Sequence, residues 1–159
     1  MFREMTRKNK ALPREECIEI LKKEPRGVLS VLGDDGLPYG MPMNHFYHEA
    51  DGCLYFHCGR QRSHRSDALK RMPKVSYCVI GAPQAQENTW ALRIKSVIVF
   101  GTVDIIDDWD TMVDTSARLS RKFTRDEDYI RREIDRSGKN TLLLRLKMDH
   151  ISGKSIEEC

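Results

Sequence analysis

The sequence predicts a mixed α+β domain, mainly β, built on a small antiparallel β-barrel with a few intervening helices. Three observations predict it: short β-rich runs bounded by turn signals, helical stretches placed between those runs, and a length that suits a single core. The chain has 159 residues, 40% of them apolar and 32% charged, an ordinary composition for one folded domain. It contains no repeats or low-complexity tracts, so residues 1–159 are read as one domain, with 1–11 as an N-terminal arm that is flexible or contacts a partner.

The elements follow in order. Pro13-Arg14-Glu15-Glu16 opens a short helix, because proline suits the first turn and acids face the positive end of the helix dipole. Cys17, Ile20 and Leu21 continue it at helical spacing until Pro25. Val28-Leu29-Ser30-Val31-Leu32 is a strand, Asp34-Asp35-Gly36 a turn, and Leu37 to Tyr47 a returning strand interrupted by Pro38 and Pro42. After the turn Glu49-Ala50-Asp51-Gly52 comes a third strand, Cys53 to Cys58, ended by Gly59. Ser63 caps a helix carrying Ala68, Leu69 and Met72, which Pro73 closes. Val75 to Ile80 is a fourth strand and Gly81 to Asn88 a loop. Trp90 to Ile106 is expected to hold two strands bent at Gly101. Asp110 or Thr111 begins a helix with Met112, Ser116, Leu119 and Phe123 on one face, and Tyr129 to Ile134 forms one more short helical turn. Thr141 to Ile151 alternates Leu142, Leu144, Leu146 and Met148 with polar positions, as a half-buried last strand does.

Several function classes are excluded or disfavoured. No apolar run approaches the roughly 20 residues needed to span a bilayer. Met1 to Lys10 is basic without a signal-peptide core, so a cytoplasmic protein with no membrane partner is expected. The net charge of +3 is local: Arg60, Arg62, His64, Arg65, Lys70 and Arg71 crowd one stretch, while Asp104 to Asp110 is acidic. A dedicated nucleic-acid binder shows a broad basic face, whereas one basic cluster suits a small anionic ligand. The five cysteines (Cys17, Cys53, Cys58, Cys78, Cys159) are widely spaced and read as reduced thiols. His57 and Cys58 are strand neighbours pointing to opposite faces, and no His/Glu pair has zinc-motif spacing, so no metal site is expected. G-x-S-x-G, Rossmann and P-loop fingerprints are all missing. If the chain is an enzyme, a cofactor carries the chemistry.

The sharpest local signal is Phe56-His57-Cys58-Gly59-Arg60-Gln61-Arg62-Ser63-His64-Arg65: a strand ends, a basic loop follows, and a helix begins. Free N–H groups at a helix start, with His64 or Arg65 beside them, make a phosphate site. The competing reading is a solvated basic loop. Register arithmetic adds a second expectation. If His48 pairs with Cys53, then Phe46 opposes Tyr55 and Asn44 opposes His57, two polar side chains on one face. The alternative is a bulge at Pro42 that breaks the pairing. A third expectation is a homodimer, since Val28 to Leu32 and Val97 to Phe100 are apolar at successive positions and need cover on both faces.

The order of these runs carries a family resemblance. Gly27-Val28-Leu29-Ser30-Val31, Asp35-Gly36-Leu37-Pro38-Tyr39, Pro42-Met43-Asn44, Leu54-Tyr55-Phe56-His57-Cys58, His64-Arg65 before Asp67-Ala68-Leu69, Lys74 to Val79, Ser96 to Gly101 and His150 to Lys154 together resemble the pyridoxamine 5'-phosphate oxidase-like split-barrel flavoproteins. Within them the chain is most similar to the 5-nitroimidazole-resistance (Nim-type) branch, over about residues 12 to 155. The resemblance implies a six-stranded antiparallel split barrel and a homodimer with one FMN in each of two clefts between subunits. It places Met43 and Asn44 along the isoalloxazine, and His57, Cys58 and Gly59 at the ring and ribityl chain. His64 and Arg65 would hold the phosphate, with Arg62 in the same loop, while Ser96 and Val97 close the site. Arg62 stands where the family commonly has glycine, and the loop is one residue longer. Catalytic residues stay unknown, with His57 and His45 as candidates for touching a small-molecule substrate. The resemblance implies an FMN-dependent reductase of small oxidised acceptors such as nitroaromatics, fed by NAD(P)H or another reductant. The rivals are a flavin- or haem-binding module without turnover, with His45, His48 or His57 as axial ligand, and pyridoxamine-phosphate oxidation, for whose second phosphate Arg60 and Arg62 are the candidates.

Overall fold

The computed structural model describes residues 2–87 and 89–158, without the side chains of Asp35 and Glu158; Cys159 and Asn88 lie outside the described residues. Among the described residues nine strands join one antiparallel sheet. They are β1 (Ala11–Leu12), β2 (Arg26–Leu32), β3 (Pro38–Asn44), β4 (Phe46–His48), β5 (Cys53–Gly59), β6 (Lys74–Ile80), β7 (Gln84–Ala85), β8 (Leu92–Ile106) and β9 (Thr141–Glu158). The order is β3-β2-β6-β8-β9-β5-β4, with β1 on β9 and β7 on β8. The two end strands, β3 and β4, are consecutive in the chain and separated only by His45. The sheet must therefore curl until its edges meet at that residue, which makes the expected α+β split barrel.

The strand count exceeds the expected six because β1 and β7 are two-residue pieces and the Leu37–Tyr47 run divides at His45. Trp90 to Ile106 forms one strand where two were expected, starting at Leu92, with a register shift between Phe100 and Gly101. A side chain at Gly101 would overlap the Lys147 carbonyl oxygen, so glycine is what lets β9 approach the bulge. The last strand runs seven residues beyond Ile151, to Glu158, and β1 pairs with that extension at Gly153 and Lys154. The N-terminal arm lies on its own barrel, with Phe2 stacked on His150 at 4.8 Å and on Phe100 at 5.7 Å between ring centroids.

Alternation sorts the strands into an inside and an outside. Leu29, Val31, Met41, Met43, Val75, Tyr77, Val79, Val97, Val99, Leu144 and Leu146 fill the barrel with Leu54 and Phe56. Helix α1 (Arg14–Lys23) adds Cys17 and Leu21 to this core, and Cys17 packs where only a glycine, Gly153, leaves room. Helix α2 (His64–Arg71) starts at the expected cap: Ser63 accepts from Ser66 N–H, and the Ser66 hydroxyl accepts from Ser63 N–H. Outside the barrel, α3 (Trp109–Ser120) begins at an Asp108 cap and lays Met112 over Cys53, Tyr55 and Leu143 as a second small core. Phe123 falls beyond α3 and is half exposed, so it is not part of the buried face expected of it. The short turn expected at Tyr129 to Ile134 is a full helix, α4 (Glu127–Ser137), capped by Asp126.

Candidate flavin site

The basic loop becomes legible once its partners are seen. Arg60 makes a two-pronged ion pair with Asp107, both bonds 2.7 Å long. Arg62 is 2.9 Å from Asp67. His64 accepts from the Asp34 backbone N–H at 3.3 Å and stacks on Tyr39 at 4.4 Å between ring centroids. Arg71 reaches Asp34 as well, at 3.1 Å. Arg65, at the second position of α2, makes no ion pair among the described residues and lies against the Cys58 thiol. The strand-loop-helix segment thus commits Arg60, Arg62, His64 and Arg71 to the chain itself and presents the Arg65 guanidinium at the helix start. The sequence showed the cluster but not the sorting, because Asp34 and Asp107 lie 30 and 47 residues from their partners.

His57, Cys58, Gly59 and Arg65 form one neighbourhood at the end of β5. His57 projects from the outer face, and its pKa is lowered, first by desolvation and then by the Arg65 charge. Burial pushes the Cys58 thiol up, more than Arg65 draws it down, so the thiol stays protonated. His57 also walls a cleft of about 280 Å³ between α3, α4 and the start of β9, which Ser116, Ser120, Glu133 and Thr141 line. None of those four was expected at the site, and Ser116 was placed only on the packed face of its helix, since only the fold brings the two helices to His57.

The other expected residues lie elsewhere. Met43 and Val97 point inward and belong to the main core. Asn44 and Ser96 alternate outward and are half buried; Asn44 accepts a 2.9 Å bond from Arg26. Ser96 pairs with Ile80 and Lys154 at one end of the barrel, whereas Gly59 pairs with Thr141 at the other. The hairpin register holds for His48–Cys53 and Phe46–Tyr55 and then fails. Asn44 pairs with Arg26 instead, and His57 pairs with Leu143, so the two are not side by side. The cause is His45. Its N–H donates to the Pro25 carbonyl at 3.2 Å, and its ring turns into the core. With both ring nitrogens bonded, to the Leu21 carbonyl and the Tyr77 hydroxyl, buried His45 has no free atom for a substrate or a haem iron. That corrects its candidacy.

The outward residues of β2, β6 and β8 form a bare face. Val28, Ile98 and Phe100 are each 38–39% exposed and Ile80 is 62% exposed, with Ser30, Ser76 and Cys78 among them. Among the described residues, no three His, Cys, Asp or Glu side chains gather in metal-binding geometry, and no helix is long and apolar enough to cross a membrane.

Comparison with known proteins bears on this arrangement. A family model described as pyridoxamine 5'-phosphate oxidase matches residues 13–155. Among solved structures, one is a protein from Bacteroides thetaiotaomicron provisionally described as a 5-nitroimidazole antibiotic resistance protein. It is 20% identical, with a TM-score of 0.74 over 92% of this chain and 87% of that one. A conserved hypothetical protein from Mycobacterium tuberculosis is 18% identical, with a TM-score of 0.77 over 95% and 90%. An FAD-binding protein from Mesorhizobium loti is 21% identical, with a TM-score of 0.65 over 92% and 97%. At these identities the likeness is one of fold. No curated protein matches the chain in sequence.

Proposed function

The chain belongs to the pyridoxamine 5'-phosphate oxidase family, and from that premise we propose that it is a cytoplasmic, homodimeric FMN-binding reductase of small oxidised acceptors such as nitroaromatics. The observation that carries the reading is the division of the expected cofactor residues between the two ends of one barrel. Ser96 and Ile106 are ten residues apart on β8, about 30 Å at roughly 3.3 Å per residue. Gly59 and Arg65 cluster at the Ile106 end and Ser96 lies toward the other, while Asn44 ends β3 two residues before Phe46, which pairs with Tyr55 of β5. One FMN does not reach from Arg65 to Ser96 within a single chain. A second copy related by a two-fold axis, seated on the bare face of Val28, Ile98 and Phe100, would bring one end of each subunit toward the opposite end of its partner. Each pair of ends would then hold one FMN.

Within that site the loop favours a monophosphate. Arg65 and the first N–H groups of α2 are the donors left for it, and one guanidinium at a helix start suits one phosphate. His57, Cys58 and Gly59 would border the ring, and the neutral His57 imidazole can accept or donate one hydrogen bond at the ring edge. FMN, when bound, supplies the electron transfer that no side chain here can perform. The cleft beside His57 gives a small acceptor a place next to the ring. Pyridoxamine-phosphate oxidation ranks lower, since Arg60 and Arg62, the candidates for a second phosphate, are held by Asp107 and Asp67.

The test is a spectrum and a mass. Purified protein mixed with FMN should show a bound-flavin absorbance band that bleaches with NADH or NADPH under anaerobic conditions and returns on adding a 5-nitroimidazole. Light scattering should give twice the monomer mass of 18.5 kDa. A monomer, or a bound flavin that no nitroimidazole reoxidises, refutes the corresponding half of the reading.

A further inference from the structure

The break between β3 and β4 contains an unusual proton count. The His45 ring is fully buried, with Nε2 2.7 Å from the Leu21 carbonyl oxygen and Nδ1 2.8 Å from the Tyr77 hydroxyl. That hydroxyl is also 2.9 Å from the Met43 carbonyl oxygen. Carbonyls only accept, so this chain of two amphoteric groups between two acceptors has three links and needs three protons. Neutral tyrosine and neutral histidine bring two. An imidazolium would bring the third, but burial, and after it the nearby Lys122 charge, hold the His45 pKa down to about 4. The ring is therefore neutral at neutral pH, and its one proton goes to Nε2 for the short bond to Leu21. Tyr77 is left with one proton and two acceptors.

Lys122 supplies the charge that His45 lacks. Just past α3, its ammonium donates to the carbonyls of Glu24 at 2.7 Å, His45 at 3.2 Å and Leu21 at 3.4 Å. Among the described residues no carboxylate lies within ion-pair distance of it, and burial lowers its pKa to about 8 against a smaller opposing pull from Glu24. The Leu21 carbonyl is thus shared by Lys122 and His45. Room for the hydroxyl is built in by Gly27, where a side chain would come within 2.8 Å of the Tyr77 oxygen.

We propose that half-buried Lys122 and buried His45 form one latch that holds a single positive charge, clamps the β3–β4 break against the end of α1, and leaves the Tyr77 hydroxyl as a two-position donor between Met43 and His45. The two cations oppose each other, so a proton gained by one is lost more easily by the other. Other charged or titratable groups near the latch are Lys22 of α1, Glu24 just past it, Arg26 of β2, His48 and Glu49 after the break, Cys78 of β6 and Arg118 of α3. The consequence for function rests on the flavin reading, because Met43 and Asn44 are the strand end assigned to the ring. His45 and Lys122 are then positioning residues for that strand end.

The latch can be tested without flavin. In ¹⁵N-labelled full-length protein, long-range imidazole spectra followed from mildly acidic to alkaline pH should show His45 neutral and protonated on Nε2. Its shifts should step at the pH where Lys122 itself titrates, well below an ordinary lysine. In Lys122→Met the His45 titration should move up by about one unit or more, as expected when an opposing charge is removed. His45→Gln, whose amide offers one donor and one acceptor, should fold and abolish the coupling. An Nδ1–H tautomer, a Lys122 that keeps its proton as long as a surface lysine does, or an unmoved His45 titration in Lys122→Met overturns the latch. If Lys122→Met does not fold, the stepwise coupling in the unaltered protein still decides. A measured FMN affinity that steps at the same pH, and is flat in His45→Gln, ties the latch to the ring; normal flavin binding with no coupling defeats the latch alone.

Discussion

The strands β8 and β9 pass through two different outer environments on either side of the Gly101 bulge. From Val103 to Ile106 they lie beside β5, and the outward residues Leu143, Tyr55 and Cys53 sit under Met112 of α3, nearly or fully buried. From Ser96 to Phe100 they lie beside β6, and the outward residues Ile98, Phe100 and Val28 are open, with only Phe2 stacked on Phe100 and His150. The inner faces of both halves contribute to the main core, through Val97 and Val99 on one side and Val103, Leu144 and Leu146 on the other. A sheet with apolar residues on both faces is stable in water only when both are covered. The chain spends α3 and α4 on one half of its outside and nothing comparable on the other, which is the arrangement expected of a subunit whose second cover is another copy.

Substitutions at three positions probe that contrast, at its hinge and on each side. The largest effect is expected at the hinge. Gly101→Ala would drive a methyl group into the Lys147 carbonyl oxygen, which cannot move without opening the β8–β9 ladder, and toward the Leu146 side chain. Overpacking plus a broken ladder should cost about 4 kcal/mol in urea unfolding; a loss below about 1 kcal/mol would mean the two halves are not rigidly joined. On the covered side, Leu143→Ala removes a fully buried side chain and should cost about 3 kcal/mol. On the bare side, Ile98→Ala should cost the isolated subunit under about 1 kcal/mol, yet Ile98→Asp should leave an 18.5 kDa monomer in light scattering. Equal losses at Leu143 and Ile98 with no change of mass would erase the distinction.

The same contrast explains what could be read from the sequence. The Asp34–Gly36 turn, the Ser63 cap and the His48–Cys53 register follow from local chemistry, and each is where the residues alone put it. Alternation at Leu144 and Leu146 was legible, whereas Leu143 looked like a polar-side position because its cover, Met112, comes from a distant helix. The break at His45 has no proline or glycine to announce it; it comes from bonds to Leu21 and Tyr77, which only the folded chain brings together. At the site, the basic loop was visible as a cluster, but which cation remains available depended on Asp34, Asp67 and Asp107. Arg65→Ala should accordingly weaken FMN by about 2 kcal/mol, the scale of a charged hydrogen bond. Arg62→Ala should change it far less in the same fluorescence titration. The reverse ranking would move the phosphate off the helix start.

The smallest effect is expected from charge at the surface of the covered half. Asp104 on β8 accepts from Lys147 at 2.7 Å and Arg145 at 3.0 Å across the ladder, and the Lys147 bond, then the Arg145 bond, hold its carboxyl below the ordinary value of 3.8. A carboxyl depressed in the folded state stabilises fully above its unfolded value and loses that contribution as pH falls through its folded value. The contribution of Asp104 is therefore constant at neutral pH and disappears only in acid, below about pH 4. About a third of the side chain is exposed, so solvent screens the pair, and Asp104→Asn should cost well under about 1 kcal/mol. In urea unfolding at neutral pH the variant should fall slightly short of the unaltered protein, and the two curves should converge in acid. Convergence is the informative part: a deficit that persists below the folded pKa would mean that the amide disturbs the β8–β9 ladder beside Gly101, and the small loss would then belong to the hinge and not to the charge.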